Sequence, residues 1–272
     1  MRSVRIVFGT LVLLILLAAA GSTEAQTNGK TYQQMTAAER QDYVREQAVR
    51  VAREISGREY QFTPEFVLTV QKSVDFYARR IGNNVPERAG RSDLKFVLER
   101  GRNQAPLLSA AFTARSLSPL FGLYLPMIES EFVNIQSANE AGAVGMFQFL
   151  PGTGKRYGLS KQDLLDVEKS ADAAARYIND GIAEFKDDPM KEALALLGYN
   201  RGNRKIVEDL VLVLTKENEG CSICALTAAS PRLDQTFQDE NVYYVPRFFA
   251  AAIIGENPSS FGLTMGPLSS YR

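Results

Sequence analysis

Glu129 and Gln148 are polar residues next to apolar segments, and both could take part in catalysis or ligand binding. Glu129 follows the apolar residues 125–128, and a carboxyl group at the end of a buried segment is costly unless it is paired or protonated. Burial raises the pKa of a Glu towards neutral pH, which suits a general acid. Gln148 is flanked by methionine and phenylalanine side chains, where its amide could donate and accept hydrogen bonds towards a polar ligand. Either residue alone fits an ordinary surface position, but the two in this setting indicate a site.

The composition narrows the chemistry further. The chain of 272 residues contains no His, and its 31 Lys and Arg balance its 31 Asp and Glu. Without His there are no Ser-His-Asp triads, Cys-His pairs or His-based zinc sites, so acid-base chemistry must depend on carboxylates, Lys or Tyr. We predict neither a metal nor a cofactor. The balanced charge gives no indication of nucleic acid as a partner.

The first 25 residues have the pattern of a secretory signal peptide. Arg2 and Arg5 precede an apolar run over residues 6–20, and small residues end at Ala25. The run is short for a membrane span of about 20 residues, and no Cys near the cleavage site could carry a lipid. We predict cleavage before Gln26, export to the periplasm and no stable membrane anchor afterwards. An uncleaved N-terminal anchor is the alternative.

Helical periodicity over most of the chain predicts an all-α fold. Capping signals such as the capping box at Thr36 predict three helices before residue 116, the third interrupted at Pro106. Ser118-Pro119 should open the helix that carries Glu129, and residues 143–150 are expected to form a short helix. A helical layer would then pack against a catalytic domain that has one insertion and ends in a loose tail. The predicted boundaries are: signal peptide 1–25, linker 26–35, N-terminal helical region 36–116, catalytic domain 117–258 with an insertion at 216–238, and C-terminal tail 259–272.

Cys221 and Cys224 form a C-x-x-C motif inside the insertion. A redox-active motif normally opens a helix after a strand, and no strand is predicted here. A zinc site needs about four ligands, which the chain does not supply. In an oxidising compartment we predict a local disulfide. Its entropic effect should be small, because the loop that it closes is very short.

Four short motifs occur in a fixed order along the chain. They are Glu129-Ser130; Gly145-Met146-Phe147-Gln148-Phe149-Leu150-Pro151-Gly152-Thr153, in the pattern G-x-x-Q-x-x-P-x-T; Gly198-Tyr199-Asn200-Arg201-Gly202, in the pattern A-Y-N-x-G with Gly198 where Ala is usual; and Glu240 with Tyr243-Tyr244-Val245-Pro246. With them, residues 90–258 resemble the catalytic domain of lytic transglycosylases with the soluble-lytic-transglycosylase (SLT) fold. This is glycoside hydrolase family 23, relatives of goose-type lysozyme.

The resemblance implies a lysozyme-like SLT domain that acts on peptidoglycan glycan strands. The family cleaves the β-1,4 bond between N-acetylmuramic acid (MurNAc) and N-acetylglucosamine (GlcNAc) without water and leaves 1,6-anhydroMurNAc ends. Glu129 would be the only acid and base, since the substrate's own N-acetyl group replaces a second carboxylate. Ser130 would orient the Glu129 carboxyl group. The other expected substrate-binding residues are Gly145, Met146, Phe147, Gln148, Tyr199, Asn200 and Tyr244, with Tyr243 as an alternative to Tyr244.

Several alternatives stay open. Met146, Phe147 and Tyr199 could equally pack in the core. The enzyme could be a lysozyme-like muramidase that uses water, or the chain could be a peptidoglycan-binding scaffold without activity. Glu131 should point away from Glu129 on a continuing helix, and Glu140 is a weaker candidate acid. A solvated face is the preferred interpretation for a group of arginines that could also contact peptidoglycan: Arg79, Arg80, Arg88 and Arg91.

Overall fold

The computed structural model describes residues 29–86, 90–216 and 218–271, and these residues form an all-α fold without strands. The predicted signal peptide lies outside the described residues. Short 3-10 helices join several of the α-helices. The α-helices are α1 (Ala37–Ser56), α2 (Pro64–Ala78), α3 (Leu94–Thr113), α4 (Pro119–Ser130), α5 (Pro151–Arg156), α6 (Val167–Glu184), α7 (Lys191–Arg201), α8 (Asn203–Val213), α9 (Ser222–Ala228), α10 (Gln235–Asp239) and α11 (Tyr244–Glu256).

The two most apolar helices, α4 and α11, lie at the centre of the fold. Residues 120–128 of α4 are all buried, as is every residue of α11 except Arg247. A helix that is apolar on all sides is stable only when other helices surround it. The two helices pack against each other, with α2 and α1 on α11 and α3 on α4. This packing brings the end of α4, which carries Glu129, close to the start of α11, although the two are far apart in sequence.

The N-terminal helices share their core with the rest of the chain. Buried apolar residues from Tyr32 to Leu268 form one continuous cluster. The predicted capping box at the start of α1 is confirmed, because Thr36 accepts a hydrogen bond from the Glu39 backbone and Glu39 accepts one from the Thr36 backbone. α1 to α3 therefore support α4 and α11 directly, through apolar contacts.

The predicted interruption at Pro106 is wrong, because α3 runs through it without a break. A proline inside a helix costs about 3 kcal/mol through a lost hydrogen bond and a steric clash. Ala105, Leu108 and Phe112 are fully buried on the same helix, and the burial of two large apolar side chains contributes roughly 3–6 kcal/mol. The apolar contacts of one helix face therefore outweigh the local penalty.

The C-terminal tail was expected to be loose, and the structure shows it packed. Leu268 is fully buried, and Ser269 donates its hydroxyl to the Glu256 carboxylate at 2.6 Å. The buried carboxylate needs donors, so it holds the tail against the end of α11.

The insertion contains two short helices, α9 and α10. α9 packs against α2, and its residues Ile223, Cys224 and Leu226 are buried. Cys221 and Cys224 form a disulfide with their Cα atoms 5.2 Å apart. Over the described ranges, no helix is long and apolar enough to cross a membrane.

Candidate active site

A cavity of about 700 Å³ lies where α2, the end of α4 and the start of α11 meet. Its volume is within the usual range for small-ligand sites. Its lining includes Lys72, Phe76, Tyr77, Arg79, Glu129, Ser130, Glu131, Asn200, Asp239, Glu240, Tyr243, Tyr244 and Arg247. A second cavity, of about 490 Å³, lies beside the disulfide, and no described side chain that lines it carries a carboxyl group. Of these two cavities, only the larger has carboxyl groups in the described part of its lining, and we call it the Glu129 cleft.

Glu129 lies in the last turn of α4, half-buried at the wall of the cleft. The hydroxyl group of Tyr244 donates a hydrogen bond to its Oε1 atom. Burial raises the pKa of Glu129 to about 7, although the Tyr244 hydrogen bond and the positive charge of Arg247 act in the opposite direction. The negative end of the α4 dipole also disfavours a carboxylate there. Since Tyr244 occupies Oε1, the acidic proton belongs on Oε2.

Arg247 fixes the end of α4 from the neighbouring helix. Its Nη2 atom donates to the carbonyl oxygen of Ile128 at 2.8 Å. Arg247 follows Tyr244 by three positions in α11, so both side chains are on the same face of that helix. Our sequence analysis did not identify Arg247, although its spacing from Tyr244 was a usable signal.

The chain leaves α4 through two residues in the left-handed conformation, Glu131 and Phe132, with φ values of 54° and 61°. This conformation costs about 1 kcal/mol or more for each non-glycine residue. Arg80 pairs with the Glu131 carboxylate at 2.5 Å, and Arg100 donates to the Glu131 backbone carbonyl at 3.0 Å. The side chain of Glu131 is thus occupied by a structural ion pair, and the strained exit holds the last turn of α4 in place.

The solvated interpretation is wrong for one of the four arginines. Arg80 is buried in its pair with Glu131, whereas Arg79 is exposed and lines the cleft. Arg91 is exposed, and Arg88 lies outside the described residues. Arg79 shares the α2 wall of the cleft with Lys72 and Phe76. The sequence analysis raised a peptidoglycan contact for Arg79 but not for Lys72 or Phe76, because the apolar stripe of α2 only indicated core packing.

Residues 143–150 form a closed loop, not the short helix that we expected. Val144 and Phe149 pair through two backbone hydrogen bonds of 3.2 and 3.1 Å. Gly145 has a φ of 78°, and a Cβ atom there would collide with the carbonyl oxygen of Leu164. Gln148 also has a positive φ, 49°. These left-handed positions exclude a helix and explain why the first position of the motif is glycine.

The loop is attached to α4 and α7 through its backbone. Ser130 donates its hydroxyl to the Met146 carbonyl at 2.7 Å, and Tyr199 donates its hydroxyl to the Phe147 carbonyl at 2.9 Å. The expectation that Ser130 orients the Glu129 carboxyl is therefore wrong, because its single proton goes to the loop. Burial and then the nearby charge of Glu129 raise the pKa of Tyr199 well above its usual range, so its phenol stays protonated and remains a donor.

The structure separates the expected site residues into two groups. Glu129, Ser130, Asn200, Tyr243 and Tyr244 line the cleft. The remaining five are not among the described residues of its lining: Gly145, Met146, Phe147, Gln148 and Tyr199. Of these, Met146 and Phe147 are buried in the core, which favours the packing alternative for both.

Gln148 and Gly198 have local explanations. The amide of Gln148 donates to the Gly145 carbonyl at 2.7 Å and closes the loop upon itself. At position 198, a Cβ atom would collide with the Oδ1 atom of Asn203. Glycine therefore replaces the usual alanine because the side chain of Asn203 occupies that space.

The two tyrosines of the last motif differ in role. Tyr244 is buried and donates to Glu129. Tyr243 is 44% exposed at the edge of the cleft. The structure therefore favours Tyr244 as the residue that contacts the acid. Among the described residues, no group of three or more His, Cys, Asp or Glu side chains could hold a metal ion.

Comparison with known families agrees with this geometry. Residues 107–218 match the family model described as the transglycosylase SLT domain. The match contains Glu129, the loop at 144–149 and Tyr199-Asn200, and it supports assignment to the lytic transglycosylase SLT family. No curated protein matches the chain. The SLT domain indicates a peptidoglycan-cleaving activity of the lytic transglycosylase type. α2 and α11, which complete the cleft, lie outside the matched residues.

Proposed function

We propose that the chain is an exported lytic transglycosylase that cleaves the MurNAc–GlcNAc β-1,4 bond without water and leaves 1,6-anhydroMurNAc ends. The observation that carries this proposal is one half-buried carboxyl group, Glu129, whose pKa burial raises to about 7. A general acid works best when its pKa is near the operating pH. The motifs also resemble those of membrane-bound lytic murein transglycosylase D, although the predicted signal peptide here lacks a Cys for a lipid anchor.

In the first step, Glu129 protonates the oxygen that leaves C1 of MurNAc, and the N-acetyl oxygen of the same sugar attacks C1. In the second step, the Glu129 carboxylate removes the proton of the C6 hydroxyl, which then closes the anhydro ring. The Tyr244 hydroxyl stabilises the carboxylate between the two steps, because hydrogen bonds to a charged acceptor are the stronger ones. Asn200 would bind a carbonyl or hydroxyl oxygen of the sugar.

Glu131, the carboxyl group nearest to Glu129 in sequence, already has a structural partner. Glu131 is paired with the buried Arg80, so removal of its charge would leave an unpaired cation. This supports a mechanism with a single acid, in which the substrate supplies the nucleophile.

A hydrolytic muramidase is the second candidate, because Asp239 and Glu240 line the same cleft as Glu129. A second carboxylate could activate a water molecule or act as the nucleophile, as in glycosidases that use two carboxylates. An inactive peptidoglycan-binding scaffold is a third candidate. The raised pKa of Glu129 is the main argument against it, because binding alone does not need a group that can donate a proton.

One experiment separates the three candidates. The purified mature protein is incubated with peptidoglycan sacculi, and the released products are analysed by mass spectrometry. We expect anhydro products, lighter by one water than the reducing ends that a muramidase would release. Reducing ends would refute the lyase proposal, and the absence of soluble products would support the scaffold.

A further inference from the structure

Arg201 is the centre of a buried polar network next to the cleft. Its side chain is 3% exposed and that of Asp209 is 2% exposed, and the two form a bidentate pair. Arg201 also donates to Asp234 at 2.8 Å and to the Oδ1 atom of Asn241 at 2.7 Å. Its guanidinium lies over the ring of Phe237 at 5.0 Å. The network joins the end of α7 to α8, to α10 and to the segment before α11.

The donors of Arg201 determine how the neighbouring amides are oriented. A guanidinium group has N–H donors and no acceptor, so Asn241 must turn its oxygen towards Arg201. The nitrogen of Asn241 then faces Asn200 and donates to its Oδ1 atom at 2.5 Å. The Oδ1 atom of Asn200 is thereby occupied. Its NH₂ group, which has no partner among the described residues, remains available at the cleft that Asn200 lines.

We propose that Arg201 and Asn241 are positioning residues that lock the Asn200 amide as a hydrogen-bond donor towards the Glu129 cleft, for an acceptor oxygen of the glycan strand. The inference rests on the proposed substrate class. It also gives the insertion a role, because Asp234 and Phe237 belong to residues 216–238 and hold Arg201 in place. An unlocked amide could present either its oxygen or its nitrogen, whereas this network selects the nitrogen.

The test reverses the amide without removing it. Asn241→Asp keeps the size and the acceptor for Arg201, but a carboxylate can only accept from Asn200. The Asn200 amide must then rotate and present its oxygen to the cleft. Affinity for soluble glycan-strand fragments is measured in a Glu129→Gln background, so that turnover does not interfere. We expect the Kd to rise roughly 10-fold, the usual effect of a lost hydrogen bond and an unsatisfied polar group.

Two further variants separate positioning from general damage. Asn241→Ala frees the Asn200 amide without reversing it, so the Kd should rise less than with Asn241→Asp. In an Asn200→Ala background, Asn241→Asp should have almost no additional effect, since it acts only through Asn200. Asn257→Asp is the matched control: Asn257 also accepts from an arginine, Arg50, at 3.1 Å, but it does not line the cleft.

The outcomes are distinguishable. An unchanged Kd in Asn241→Asp, an equal or larger loss in Asn241→Ala, or an equal loss with and without Asn200 would each overturn the positioning proposal. If Asn241→Asp does not fold, the Asn241→Ala measurement and its Asn200→Ala cycle decide the question alone. Glycan binding that follows the expected pattern in a protein that releases no products would keep the positioning inference and refute the catalytic proposal. A protein that releases anhydro products from sacculi but binds no glycan fragments would overturn the positioning inference alone.

Discussion

Glu129→Gln is the most informative substitution, because it removes a titratable proton and keeps the shape of the side chain. Gln can still accept the Tyr244 hydrogen bond that Glu129 accepts. It cannot protonate the leaving oxygen, a function that contributes typically about 10²–10⁴-fold to the rate. We therefore expect the release of anhydro products from sacculi to fall by at least about 100-fold.

The same substitution should change how stability depends on pH. Below about pH 4.3, the carboxyl group is protonated in both the folded and the unfolded chain. Between that value and the folded pKa of about 7, the unfolded chain ionises while the folded chain keeps its proton. The free energy of unfolding therefore decreases as the pH rises through this window, and the loss is complete above it.

The magnitude follows from the pKa shift. A shift from about 4.3 to about 7 corresponds to an upper limit of about 4 kcal/mol. Because Glu129 is only half-buried, water screens part of this cost, and we expect about 1–2 kcal/mol. Glu129→Gln should accordingly be more stable than the wild type by about 1–2 kcal/mol at pH 8 and about equal to it at pH 4.

Two assays check the reasoning. Chemical denaturation at a series of pH values measures the stability difference, and product release measures activity. The kcat/KM of the wild type should fall as the pH rises through about 7, because only protonated Glu129 is active. Glu140→Gln, an exposed carboxyl group in the adjoining loop, is the control and should keep its activity. A near-normal rate in Glu129→Gln, or a pH limb near 4.5 in the wild type, would refute the assignment of the acid.

Two other predictions follow from the contacts of the site and of the insertion. Tyr244→Phe removes the hydrogen bond that lowers the pKa of Glu129, so the alkaline limb of kcat/KM should move to higher pH, whereas Tyr243→Phe should leave it in place; a limb that does not move in Tyr244→Phe would show that this bond is not made in solution. Replacement of both Cys221 and Cys224 by Ser should lower the free energy of unfolding by at most about 2 kcal/mol, because the disulfide closes a very short loop. The double variant should keep its activity below its melting temperature, as measured by product release, and inactivation of the folded variant would contradict a purely structural role.

The sequence predicted the helices that depend on local signals. The capping box of Thr36 and the Ser118-Pro119 start of α4 are present in the structure, since caps satisfy backbone groups within a few residues. The apolar residues 125–128 also predicted that Glu129 lies at the end of an apolar helix, as the structure shows. The resemblance also predicted the SLT domain, which the family match at residues 107–218 supports.

Predictions from local sequence patterns were wrong where other interactions outweigh those patterns. Pro106 is kept in a helix by buried neighbours on one face, and Leu268 orders the tail through contacts with the core. We predicted a helix for residues 143–150, because their apolar pattern does not reveal the positive φ angles of Gly145 and Gln148. The order of Pro106 and Leu268 depends on contacts between segments that are far apart in sequence, and the loop depends on backbone angles that an apolar pattern does not specify.

The sequence contains the side chains that form the site, but the tertiary structure decides which groups each of them bonds to. Ser130 was a plausible partner for Glu129 because it is the next residue, yet its hydroxyl bonds the Met146 carbonyl. Tyr244 contacts the acid across 115 positions of sequence. Hydrogen bonds are short and directional, so their partners depend on how α4 and α11 pack. The sequence determined that a carboxyl group would lie at the edge of the core, and the packing of these helices determined its pKa and its partner.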